Sequence, residues 1–177
     1  MTEKTLFAGF GGQGVISLGQ IWIYCGMKEG KNVSYFPFYG AEKRGGIARA
    51  GVIVSDEDIA SPVVSIADSA VALNEDSLEA CESALRKDGL LLLNSGLIQH
   101  EPKRKDIRVV KLDMQHISED IGGSRYVNMV ALGACAKLTG ALHLQDIENI
   151  LKGYFTEDKS KFIPANVKAI NAGYQGV

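Results

Sequence analysis

The stretch FAGFGGQGVISLG, residues 7–19, decides the fold. An apolar run is stopped by glycines at 9, 11, 12 and 14, and a helical pattern begins directly behind them. A strand that enters a helix through glycines is the first half of a β-α-β unit. Gly9, Gly11 and Gly14 also satisfy G-x-G-x-x-G, in which a close backbone and a helix N-terminus receive a pyrophosphate.

A dinucleotide site requires one residue more. An Asp or Glu about 20 residues on, at the end of the second strand, holds the ribose hydroxyls. That strand reads NVSYFPF, residues 32–38, and carries no acid. Glu29 falls at the end of the first helix, and Glu42 lies beyond Pro37. The acid is missing where it would work, which argues against NAD. A free-standing Rossmann-type nucleotide-binding enzyme remains as an alternative reading.

Working outward, the helix VISLGQIWIYCGMKEG ends at Gly30, and the strand after it closes a unit whose crossover is expected to be right-handed. The alternating IARAGVIVSD (47–56) reads as a strand, as do residues around 70–74, 90–95 and 108–113. Residues 76–89 read as a helix capped by Asp76 or Ser77 and ended by Gly89. Beyond residue 125 the pattern is helical, with one stop at Gly140. Residues 1–177 are thus expected to form one α/β domain. Its sheet is Rossmann-like, open and mostly parallel, flanked by helices, with further helices at the C-terminus.

The chain is 46% hydrophobic and 23% charged, with a net charge of −2, a balance that argues against broad nucleic-acid binding. Its one dense basic run, Lys103, Arg104, Lys105 and Arg108, reads as a solvated loop entering a strand. Cys25, Cys81 and Cys135 are far apart and form no C-x-x-C. They are expected to be reduced and structural, which points to the cytoplasm. His100, His116 and His143 are isolated, so no metal site is expected from this chain alone. No apolar stretch has the length of a membrane span, and the N-terminus has no signal-peptide pattern.

A second loop, YGAEKRGG (39–46), is the most unusual segment. Arg44 there suits a carboxylate, a phosphate or a partner's acid, while Gly45 and Gly46 admit another backbone. An exposed loop with a local Glu42–Arg44 pair explains the same residues. In an open α/β sheet the first and second loops both follow strands, which puts them on one edge.

The motifs GFGGQG, YGAEKRGG, IASP, AD and NMVALGA, in this order, resemble the gamma subunit of 2-oxoacid:ferredoxin oxidoreductases. The resemblance runs from about Leu6 through ANVKAINAGY (165–174) to the end, and is strongest to the 2-oxoglutarate type. It implies a complex that decarboxylates a 2-oxoacid on thiamine diphosphate and magnesium, passes electrons through iron–sulfur clusters to ferredoxin and forms an acyl-CoA. The resemblance implies that those cofactors sit mainly on alpha and beta subunits, with delta as a further partner. This chain would be a non-catalytic accessory subunit, structural and lining part of the coenzyme A or substrate approach. The matching residues are Gly9, Gly11, Gly12, Gln13 and Gly14; Tyr39, Gly40, Glu42, Arg44, Gly45 and Gly46; and Asn128 and Met129. Two positions depart from the family pattern, Phe38 after the strand proline and Ala41 before the glutamate. A homo-oligomeric scaffold, a homodimer for instance, is a third reading, with YFPFY (35–39) as its interface and Phe36 expected to be buried in the strand.

Overall fold

The computed structural model describes residues 1–39 and 46–177. Its centre is a six-stranded mixed sheet of β1 (Thr2–Phe10), β2 (Asn32–Tyr39), β3 (Ile47–Ser55), β4 (Ala67–Ala72), β5 (Leu85–Asn94) and β6 (Arg108–Leu112). The order is β2-β3-β1-β4-β5-β6. β1, β4, β5 and β6 pair in parallel, and β3 runs antiparallel to both β1 and β2. α1 (Val15–Lys28) connects β1 to β2 as expected, but the two strands are not neighbours. β3 folds back from β2 and takes the place between them, Phe10 pairing with Ile47 and Tyr39 with Ala48. The alternation of β3 predicts a half-buried strand; its partners are set by the tertiary fold. β1 and β2 still point the same way, so their C-terminal ends share an edge.

One face of the sheet carries α1, α3 (Met114–Ile121), α4 (Val127–Thr139), α5 (Ile147–Tyr154) and α6 (Ile163–Gln175). Trp22 of α1 is fully buried there, edge-on to Phe7 with centroids 5.6 Å apart. α4 and α6 cross with their backbones touching. A Cβ added at Gly133 would lie 1.9 Å from the Ile170 carbonyl oxygen, and one at Gly173 would lie 2.0 Å from that of Val130. Both glycines lie in the motif segments NMVALGA and ANVKAINAGY, so part of what those motifs encode is this crossing.

The other face is covered by α2 (Glu75–Ala84) over β1, β4 and β5. α2 differs from expectation at both ends. Its N-cap is Asn74, and Ser77 acts three residues on: its hydroxyl accepts from the Asn74 N–H and donates to the Asn74 carbonyl. The helix stops at Ala84, not Gly89, because Leu85 turns extended and pairs with Ala67 to begin β5. Residues 86–89 form a bulge before Leu90 pairs with Ser69, and Asp88 takes a φ of 60°. Arg104 meets the carbonyls this leaves. Its guanidinium donates to Glu82 O at 3.0 Å and Leu85 O at 2.6 Å and pairs with Asp106. The basic run is therefore not wholly a solvated loop; Arg104 closes the carboxyl end of α2, where a cation also suits the helix dipole.

β2 is an edge strand, and Phe36 is 36% exposed and Phe38 40%, their rings 4.6 Å apart. The expected burial of Phe36 fails because α2 lies mainly over β1, β4 and β5 on this face. Residues 63–66 cross there instead, with Val64 against Gly51 and Ile66 exposed.

Candidate functional site

The site is the sheet edge where β1 ends. The loop 11–14 leaves Phe10, and Gly14 caps α1 in the left-handed region at φ 76°. Gly12, at φ 104°, is also in that region. No side chain caps α1, and its first turn carries no acid. The positive end of the helix dipole is thus not neutralised within its own first turn.

Gln13 is built into the loop. Its Oε1 accepts from the Phe10 N–H at 2.8 Å, and its Nε2 donates to the Leu73 carbonyl at 3.4 Å. It ties the end of β1 to the end of β4 and fills the space beside Gly9, where a Cβ would stand 2.7 Å from its Oε1. Asn128, in the first turn of α4, donates from Nδ2 to the Gly14 carbonyl at 3.3 Å. Three of the sequence candidates thus form one locked turn. Met129 points elsewhere in effect: it is buried in the core beneath α4.

Gly11 differs from its neighbours. Its φ is outside the left-handed region, and among the described residues an added Cβ would meet nothing within 4 Å. The residue is exposed, and its N–H donates to the Gly46 carbonyl at 3.4 Å. The first loop and the end of the second therefore meet on the same edge. Gly40, Glu42, Arg44 and Gly45, with the side chain of Tyr39, lie outside the described residues.

Two further residues at this edge escaped the sequence reading. Asn94, fully buried at the end of β5, donates to Leu73 O and accepts from the N–H groups of Met114 and Gln115, so it joins β4, β5 and the start of α3. Asn74, buried after β4, has no partner for either amide atom among the described residues. The available signal was an Asn ending an apolar run twice, ALN at 72–74 and LLLLN at 90–94.

The geometry also explains the failed dinucleotide pattern. Glu29 sits at the far end of α1, where it accepts from the N–H groups of His143 and Leu144. β3 separates β1 from β2, so even an acid at the end of β2 would stand two strands away.

The described residues do not fit a metal or cluster. Among the described residues no group of three or more His, Cys, Asp or Glu is placed to hold a metal ion. Cys25, Cys81 and Cys135 are all buried and free on three separate helices. Burial pushes the Cys25 and Cys81 thiols up to about 12, so they are neutral at physiological pH.

The family model for pyruvate ferredoxin/flavodoxin oxidoreductase matches residues 4–176. The ketoisovalerate oxidoreductase subunit VorA of Methanothermobacter marburgensis is 33% identical over 172 residues, 96% of this chain and 35% of that protein. The chain therefore spans about a third of the length of that relative. The 2-oxoglutarate synthase subunit KorC of the same organism is 30% identical, over 98% of this chain and 95% of its own length. Among solved structures, the keto/oxoacid ferredoxin oxidoreductase gamma subunit of Geobacter sulfurreducens superposes with a TM-score of 0.86 at 27% identity, over 99% of this chain and 96% of that one. The mixed sheet and its helices are thus a known architecture, and the chain belongs to the pyruvate ferredoxin/flavodoxin oxidoreductase family.

Proposed function

We propose that the chain is the accessory, gamma-type subunit of a 2-oxoacid:ferredoxin oxidoreductase. The complex would oxidatively decarboxylate a 2-oxoacid, 2-oxoglutarate by the motif resemblance, to its acyl-CoA and reduce ferredoxin. The chain contributes no catalytic group in this reading. Its residues 1–177 act as one domain that docks through the two-loop edge on the alpha and beta subunits and borders the coenzyme A or substrate approach. Thiamine diphosphate, magnesium and the iron–sulfur clusters are assigned to those subunits by the motif resemblance. The proposed compartment is the cytoplasm; among the described residues no helix is long and apolar enough to cross a membrane.

The observation that carries the docking surface is Gly11. Neither backbone conformation nor crowding by the described residues requires glycine there, and the residue stands exposed beside Gly46. An exposed glycine with no internal demand suits the close approach of another chain. Arg44, in the loop that follows Tyr39, is proposed to grip an acid of the partner or a coenzyme A phosphate. Purification of the tagged chain from its native source tests the reading. Co-purified thiamine diphosphate and iron–sulfur subunits, with ferredoxin reduction faster on 2-oxoglutarate than on pyruvate or 2-oxoisovalerate, are expected. An isolated chain that binds NAD at micromolar concentration would overturn it.

A second reading rests on the exposed Phe36 and Phe38 of the edge strand, which favour a homodimer when the chain is isolated. Sedimentation of Phe36→Ser/Phe38→Ser beside the parent chain separates the two: a dimer through this face becomes a monomer.

A further inference from the structure

We infer that the part of the sheet over β2 and β3, on the α2 side, is a berth for a helix of a partner chain that carries a carboxylate among apolar residues. The inference rests on the assembly reading: the partner helix belongs to the alpha or the beta subunit. Five helices cover one face of the sheet, and on the other face α2 lies mainly over β1, β4 and β5. An α/β sheet buries its apolar faces under helices, and here β2 and β3 have none on this side among the described residues.

The register places the floor of the berth. Ala48 and Ala50 of β3 face the five-helix core, so Ile47, Arg49 and Gly51 face the other way. Arg49 pairs with Phe38 on one side and Ala8 on the other, and Gly51 pairs with Phe36 and Leu6. Ala8 and Leu6 belong to the core beneath α2. Phe36 and Phe38 are therefore on the same face as Arg49, and both are exposed. Exposed Val63 and Ile66 flank Val64, which meets Gly51, and form the margin of the berth.

Charge says what covers it. Arg49 is exposed and has no ion pair among the described residues. Its charge opposes the effect of burial on the Cys81 thiol, so the guanidinium is within reach of α2. A guanidinium set among aromatic and aliphatic side chains suits a planar carboxylate. Two residues along β3 span about 6.8 Å, close to the ~5.4 Å of one helical turn. A carboxylate over Arg49 and an apolar residue one turn away, over Phe36 and Val64, thus fit a single helix. A strand added at the edge is disfavoured, because Pro37 brings no N–H to β2. A second copy of the chain would present the same floor, with the same arginine and no acid on it. The berth also reaches Ile47, which pairs with Phe10 beside the meeting of Gly11 and Gly46. It is continuous with the two-loop edge proposed to dock. In the VorA relative the matching segment is 35% of the protein, so there a unit of this kind is joined to further polypeptide.

Photocrosslinking in the assembled complex tests this. Phe38 of the tagged chain is replaced by p-benzoylphenylalanine, the complex is irradiated, and the joined peptides are read by mass spectrometry. A crosslink to one alpha- or beta-subunit peptide is expected, with an Asp or Glu within one helical turn of the joined residue. Arg49→Glu changes an exposed side chain and should keep its melting temperature. It is expected to recover that subunit at least about tenfold less well. Changing the partner's acid to Arg should restore recovery of the Arg49→Glu chain, which damage to the fold would not allow. A crosslink to a second copy, to the chain's own residues, or to nothing in a complex that has assembled overturns the berth and leaves the assembly reading in place. So does an Arg49→Glu chain that recovers the subunit as the parent does. A parent chain that recovers neither subunit overturns both.

Discussion

Asn128 holds Gly14: its Nδ2 donates to the Gly14 carbonyl at 3.3 Å, and a Cβ on Gly14 would stand 2.4 Å from that same nitrogen. The two residues are 114 apart in the chain. They join the turn that opens α1 to the first turn of α4, so the glycine loop is set by a helix on the far side of the sequence.

Gly14→Ala therefore meets two costs, a left-handed φ and the Asn128 side chain. A loss of about 2–3 kcal/mol in urea unfolding is expected. Asn128→Ala removes the second cost and not the first. In that background Gly14→Ala should cost about 1 kcal/mol less, a coupling that a double-mutant cycle reads.

The α4–α6 crossing has no room for a methyl group. Gly133→Ala and Gly173→Ala each place Cβ within about 2 Å of a carbonyl oxygen on the partner helix. Each is expected to lower stability by more than about 3 kcal/mol, seen as a large fall in melting temperature.

Glu3 gives the fold a pH dependence. Burial, before the smaller effect of Asp68, raises its carboxyl from 4.5 to about 7, against a lowering hydrogen bond from Ser69. The folded chain thus favours the neutral acid. Its contribution is complete below about pH 4.5 and is lost as pH rises through about 7. Glu3→Gln should match the parent near pH 4.5 and exceed it by about 1–2 kcal/mol at pH 8, allowing for partial solvent screening. Chemical unfolding at several pH values measures both.

Arg104→Ala uncovers the carbonyls of Glu82 and Leu85 and frees Asp106. A loss of about 1–3 kcal/mol is expected, with hydrogen exchange rising first around the end of α2.

Much of this was legible in the residues. The run FAGFGGQG followed by a helical pattern specifies strand, turn and helix, because glycine, apolar run and amphipathic face agree. The shared edge of the two loops followed from chain direction alone, and Gly11 and Gly46 meet there. What stayed hidden depends on distant partners. The position of β3 between β1 and β2 is a choice among possible neighbours that alternation does not encode. Gly89 has the look of a helix stop, but pairing of Leu85 with Ala67 ends the helix earlier. α3 was not seen because its eight residues are too few for a clear period; its start is set by Asp113, whose side chain accepts from the His116 N–H. Gln13 read as part of a binding motif, and it also closes the ends of β1 and β4.

The docking claim is tested most directly by Gly11→Leu, introduced into the tagged chain and compared with the parent by co-purification. Among the described residues Gly11 has open space, and its φ is not left-handed, so the variant should fold and melt within about 2 °C of the parent. The proposed role predicts that it recovers the alpha and beta subunits at least about tenfold less well. A folded Gly11→Leu chain that assembles as the parent does would contradict it.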